Sequence, residues 1–124
     1  MKNHKHIAIT AVAVLAVSAF AAGKIILRAN MVGLGKGKAV WKIDDRDGRV
    51  QAELEASGEN LPRNQSFTLV IGNNAPFAVT TDALGNYKLA RRYTTSARPA
   101  ISVGTPVVLK NAAGAVVQAG NFVP

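Results

Sequence analysis

The 124-residue chain contains no cysteine, and its only two histidines, His4 and His6, lie within the first six residues. Acidic residues are scarce, 7 Asp and Glu against 15 Lys and Arg, and aromatics make up 6%. Each shortage closes off a chemistry. Without thiols there are no disulfides and no thiolate metal ligands. With the first residues set aside there is no imidazole either. That excludes Ser-His-Asp and Cys-His nucleophilic sites and zinc or copper centres built on imidazole. No apolar run reaches the roughly 20 residues that cross a bilayer as a helix. Stability must come from a packed core, which a single domain of this length can build. No cofactor is expected.

The longest apolar run, Ile7 to Phe20, follows a basic stretch of Lys2, His4, Lys5 and His6 and ends at Ala19-Phe20-Ala21, with Ala22 next. A basic head, an apolar middle and a small-x-small cleavage site are the three parts of a secretory signal peptide. Residues 1–21 are therefore read as a signal helix and 22–124 as one domain, secreted or periplasmic, with no stable membrane span after cleavage. An uncleaved anchor is the competing reading, but the run is short for one and Gly23-Lys24 interrupts it. Cleavage removes both histidines and two of the 15 cations, leaving 13 against 7 acids.

What remains shows short alternating runs separated by Gly, Pro, Asn and Asp, the pattern of an all-β domain. Strands are expected near 25–32, 38–44, 49–57, 65–72, 76–82, 86–93, 106–111 and 115–122. The expected architecture is an antiparallel β-sandwich of seven to eight strands, with Trp41, Leu54, Phe67, Leu69, Phe77, Val79, Tyr87, Leu89 and Leu109 inside. Around Asp45-Arg46-Asp47-Gly48 a four-residue loop pairs Asp44 with Arg49, Ile43 with Val50, Trp41 with Ala52 and Lys38 with Glu55. That register puts apolar residues on one face and charges on the other.

Asp44, Asp45 and Asp47 beside Gly48 superficially match a calcium loop. Aligned on Gly48 as the sixth position, the first and twelfth positions are Ile43 and Leu54, so the EF-hand pattern fails. A tight turn is the plain reading. An irregular divalent-ion site, or an acid pair of the glycosidase kind, is the alternative for these three carboxylates. Gly33-Leu34-Gly35-Lys36-Gly37-Lys38 lacks the first glycine and the Ser or Thr of a phosphate loop, having Val32 and Ala39 there. Asn64-Gln65-Ser66 matches a glycosylation sequon.

Trp41, Phe67, Phe77, Tyr87, Tyr93 and Phe122 fall on the inward parity of their strands, so no exposed ring platform emerges. The cations are the feature left over. Lys24, Arg28, Lys36, Lys38 and Lys42 cluster early, and Arg91, Arg92 and Arg98 late. A field of this sign attracts anionic polymers such as acidic glycans, lipopolysaccharide, teichoic acid or nucleic acid, and it also keeps a domain soluble. Arg91 shares a face with Tyr87, Leu89 and Tyr93, so it must leave the core at a sheet edge. Arg91, Arg92 and Arg98 are expected to gather where the 94–100 connection begins, suited to bidentate contact with carboxylate, sulfate or phosphate.

Lys36-Gly-Lys-Ala-Val-Trp-Lys, Arg49-Val-Gln-Ala-Glu-Leu-Glu, Asn60-Leu-Pro, Phe67-Thr-Leu-Val-Ile and Gly114-Ala-Val-Val-Gln-Ala-Gly-Asn-Phe follow one another in an order similar to that of small exported bacterial β-domains of the CHRD-like kind. Thr81-Asp82-Ala-Leu-Gly85-Asn-Tyr87 resembles a step of carboxypeptidase-regulatory, transthyretin-like domains. The resemblance implies a β-sandwich and a non-catalytic role, and it brings no catalytic residue with it. The function read from the sequence is an exported, non-catalytic binding or scaffolding domain at an envelope or extracellular anionic polymer. The alternative is a carboxylate-dependent, glycan-acting enzyme using Asp44, Asp45 and Asp47.

Overall fold

Segments in which apolar and polar residues alternate can bury one face and wet the other only by pairing as strands. The computed structural model describes residues 23–45 and 51–124, and eight such segments pair in it. They are β1 (Lys24–Gly33), β2 (Lys36–Asp44), β3 (Gln51–Glu59), β4 (Ser66–Ile71), β5 (Phe77–Thr80), β6 (Tyr87–Tyr93), β7 (Pro106–Lys110) and β8 (Val116–Asn121). The expected signal peptide, Arg46, Asp47 and Gly48 of the expected turn, and Arg49 and Val50 of the expected third strand lie outside the described residues. Every expected strand is present, and no helix occurs among the described residues.

All pairings are antiparallel, in the order β5-β4-β7-β8-β1-β2-β3-β6. The sheet curls until its two end strands, β5 and β6, come alongside each other. A nearly closed barrel results, so the strands expected as two sandwiched layers join in one continuous sheet. The length of β1 accounts for this. Lys24 to Met31 pair with β2, while Val32 and Gly33 pair with Ala119 and Gln118 of β8, and Arg28 bridges to Val123. One strand thus links both halves of the sheet.

The register of β2 on β3 differs from the expected one by two residues. Trp41 faces Leu54, Ile43 faces Ala52, Asp44 faces Gln51 and Lys38 faces Ser57 rather than Glu55. A two-residue slip preserves which face each side chain occupies, so Trp41 and Leu54 still point inward together. Packing at the far end of the hairpin explains the choice. The observed register sets Gly37 opposite Gly58. A Cβ on Gly37 would strike the Gln118 amide, and one on Gly58 would strike the Tyr87 ring. Two inward glycines side by side make the space that these two large side chains fill.

Leu27, Ala29, Trp41, Leu54, Phe67, Leu69, Ile71, Val79, Leu89, Val107, Leu109 and Phe122 are among the buried residues of the core. Phe77, expected inside, is only half-buried, because β5 is an end strand and the guanidinium of Arg91 lies over its ring. Gln118 is buried although polar; its Nε2 donates to the Leu34 carbonyl at 2.7 Å. Thr81 is buried too, donating to the Pro62 carbonyl at 2.6 Å and accepting from the Gln65 amide at 3.0 Å. It ties the β3–β4 crossover to the end of β5.

The β5–β6 and β7–β8 turns repeat one device. Asp82 Oδ1 accepts from the amides of Leu84 and Asn86, both at 2.9 Å. Asn111 Oδ1 accepts from those of Ala113 at 3.0 Å and Ala115 at 2.9 Å. Gly85 and Gly114 take the left-handed backbone of the fourth position, with φ of 81° and 84°.

Candidate functional site

The three arginines singled out from the sequence have different surroundings. Arg91 leaves the core at the edge strand β6, as its parity requires, and its charge sits 6.0 Å from the centre of the Phe77 ring. Its Nη1 donates to the Ala90 carbonyl at 3.0 Å. Arg92 projects from the opposite face of β6 and pairs with Glu53 at 3.0 Å. Arg98, in the connection from β6 to β7, places Nη1 3.9 Å from Asp45 Oδ1. Arg92 and Arg98 therefore already have carboxylate partners.

Of the three aspartates, Asp47 lies outside the described residues. Asp44 closes β2 opposite Lys24 on one side and Gln51 on the other. Asp45 pairs with Arg98, and its amide donates to the Gly23 carbonyl at 2.8 Å. Among the described residues, no group of three acidic side chains is placed to hold a metal ion.

The outer face of β2, β3 and β6 gathers more chemistry than either set. Strand pairing lays its outward residues in rows across the three strands. Lys38, Ser57 and Lys88 form one row, Val40, Glu55 and Ala90 the next, and Lys42, Glu53 and Arg92 a third; Lys36 faces Glu59 at the near end. Cations thus stand on the outer two strands and carboxylates on the middle one. At the far end the opposite charges meet, Lys42 with Glu55 at 3.5 Å and Arg92 with Glu53 at 3.0 Å. At the near end Lys36, Lys38 and Lys88 are exposed and form no ion pair among the described residues.

The surface between these rows is hollowed. A hollow of 640 Å³ lies where β3 ends and β6 begins, lined by Lys38, Ser57, Glu59, Lys88, Thr80 and Asn86 among others. A hollow of 250 Å³ continues from Lys38, Ser57 and Lys88 to Glu55 and Ala90, and another of 210 Å³ from Glu55 and Ala90 to Arg91 and Arg92. Shared residues make them one groove along β3, about 20 Å from Glu59 to Glu53 at the rise of an extended strand.

Two ionisable groups near the large hollow are displaced from their ordinary values. The backbone amides of Asn86 and Leu84 hold the Asp82 carboxyl below the usual range, because hydrogen bonds to the charged form favour it. Burial pushes the Tyr87 phenol up to about 12. Its hydroxyl is enclosed and finds no hydrogen-bond partner among the described residues.

Sequence reasoning marked Lys36 and Lys38 as members of an early basic cluster but missed Lys88 and Ser57. Alternation places each of these outward. What it does not reveal is that β6 pairs with β3, the non-sequential pairing that brings Lys88 across from Lys38. A scan against protein-family models finds no match to this chain, and a search of curated proteins finds none either.

Proposed function

We propose that the protein is an exported, non-catalytic β-domain that binds an anionic polymer along the outer groove of β2, β3 and β6. The observation that carries this reading is the trio Lys36, Lys38 and Lys88, without ion pairs among the described residues, around adjoining hollows on a face whose other cations are met by Glu53 and Glu55. Unpaired ammonium groups beside a concave surface attract polyanions, and no carboxylate must be displaced first. Arg92 lines the far hollow and extends the groove, while Arg91, turned to the Phe77 ring on the opposite face, and Arg98 belong to the general basic field. The resemblance to exported CHRD-like and transthyretin-like sandwich modules supports the non-catalytic role. The glycan-acting alternative would place its chemistry at Asp44 and Asp45, about 20 Å along β2 from Lys38, where Asp45 is occupied by Arg98.

The test is retention of the purified protein on carboxymethyl dextran beads, which carry sparse carboxylates, and on neutral dextran. It is run at about 0.01 M and about 1 M salt, between which the screening length falls from about 30 to about 3 Å. Retention on the anionic matrix at low salt, release at high salt and no generation of reducing ends are expected. Equal retention on neutral dextran, or no retention on the anionic matrix, would contradict the proposal.

A further inference from the structure

The groove is not uniformly basic, and that restricts which polyanion it fits. Along β3 its floor runs Glu53, Glu55, Ser57, Glu59, and Ser57 is the one member of that run that is not a carboxylate. There, among the described residues, two lysines without ion pairs flank the floor. Lys38 and Lys88 stand one strand to either side of Ser57, about 10 Å apart between backbones at the usual strand spacing. Four-carbon stems from that separation can bring two ammonium groups onto a single anion above the Ser57 hydroxyl.

We infer that Lys38, Ser57 and Lys88 form a subsite for one isolated carboxylate of a uronate-bearing glycan, with the neighbouring sugar hydroxyls received by Glu59, Asn86 and Thr80. This rests on the polymer-binding reading above and narrows it to a ligand class. A second anion two residues along β3, about 7 Å away, would lie over Glu55 or Glu59 and be repelled. A phosphodiester chain, charged at every nucleotide, meets that repulsion throughout. A glycan with sparse carboxylates instead sets neutral hydroxyls over the glutamates, and a carboxylate accepts hydrogen bonds from hydroxyls well. Glu59 forms no ion pair among the described residues and lines the 640 Å³ hollow, a volume in the range of small-ligand sites. Among the described residues the face also presents no exposed base-stacking ring of the kind single-stranded nucleic acid binders use, since Trp41 and Tyr87 are buried.

The experiment is calorimetric titration of the purified protein with a hyaluronan oligosaccharide, in which a uronate alternates with a neutral sugar, its methyl ester and single-stranded DNA at equal low salt. The parent and the double variant Lys38→Gln/Lys88→Gln are compared, with Ser57→Ala as a milder third. The uronate oligomer should bind best, the methyl ester at least tenfold more weakly, and the double variant should lose at least tenfold for the uronate while keeping the parent's unfolding midpoint. Ser57→Ala should lose two- to fivefold. DNA binding as tightly as the uronate, or undiminished binding of the methyl ester, overturns the ligand class but leaves the polymer-binding reading standing. A double variant that binds uronate like the parent overturns the subsite. If the parent binds none of the three and is not retained on carboxymethyl dextran, the polymer-binding reading itself fails.

Discussion

Tyr87 stands where the core meets the groove, and its two ends face different demands. The ring fills the space left by Gly58, while the hydroxyl is enclosed without a partner among the described residues. A buried hydroxyl left unsatisfied costs about 1–3 kcal/mol, so Tyr87→Phe should raise stability at neutral pH by about 1 kcal/mol. Burial raises the folded-state phenol from 10.0 to about 12. An acid raised in this way is neutral in the folded protein while its unfolded counterpart ionises. The stability it contributes is whole below the unfolded value and is lost as pH rises from about 10 through about 12. Denaturant unfolding at neutral pH and near pH 11 should show a smaller alkaline loss for the Phe variant. An identical alkaline loss in both proteins would show that Tyr87 is not the group responsible.

Turns and strand pairs set the groove's shape, and the element most open to test is the turn from β5 to β6. Asp82 organises it through two backbone amides, and those bonds hold its carboxyl low. A carboxyl depressed on folding contributes stability above its unfolded value of 3.8, and that contribution is lost as pH falls through the lower folded value. Asn111 performs the same task with a neutral amide oxygen in the β7–β8 turn. Asp82→Asn should therefore keep the turn and lose less stability on acidification, measured as the unfolding midpoint at pH 7 and below pH 4. An Asn variant as acid-sensitive as the parent would place the acid loss elsewhere. This turn was partly legible in the sequence, where Asp82, Gly85 and Asn86 mark it. Its equivalence to Asn111–Ala115 was not, because one turn opens with an acid and the other with an amide.

Over the whole molecule, alternation revealed the strands and eight of the nine residues expected inside, since inward and outward parity is a local property. Phe77 escaped that logic because exposure at a sheet edge depends on where β5 ends up. The β2–β3 register escaped it by two residues, because any even slip satisfies the same alternation and only the Gly37–Gly58 pairing distinguishes them. Gln118 gave no sign of burial, since its place was made by a glycine on a different strand. The groove was the least visible part, because it depends on β6 lying beside β3 across the β4–β5 hairpin. The expected arginine site came from proximity along the chain, whereas Glu53 and Asp45 engage Arg92 and Arg98 separately.

The central claim is that one face of this barrel, the outer side of β2, β3 and β6, is the binding surface. Backbone amide chemical shifts, followed while a short hyaluronan oligosaccharide is added at low salt, test it most directly. The account predicts a continuous strip of perturbed amides through Lys38, Ser57, Glu59 and Lys88, with Asp45 and Arg98 unmoved. Perturbations centred on Asp44, Asp45 and Arg98, with the strip through Ser57 silent, would contradict it.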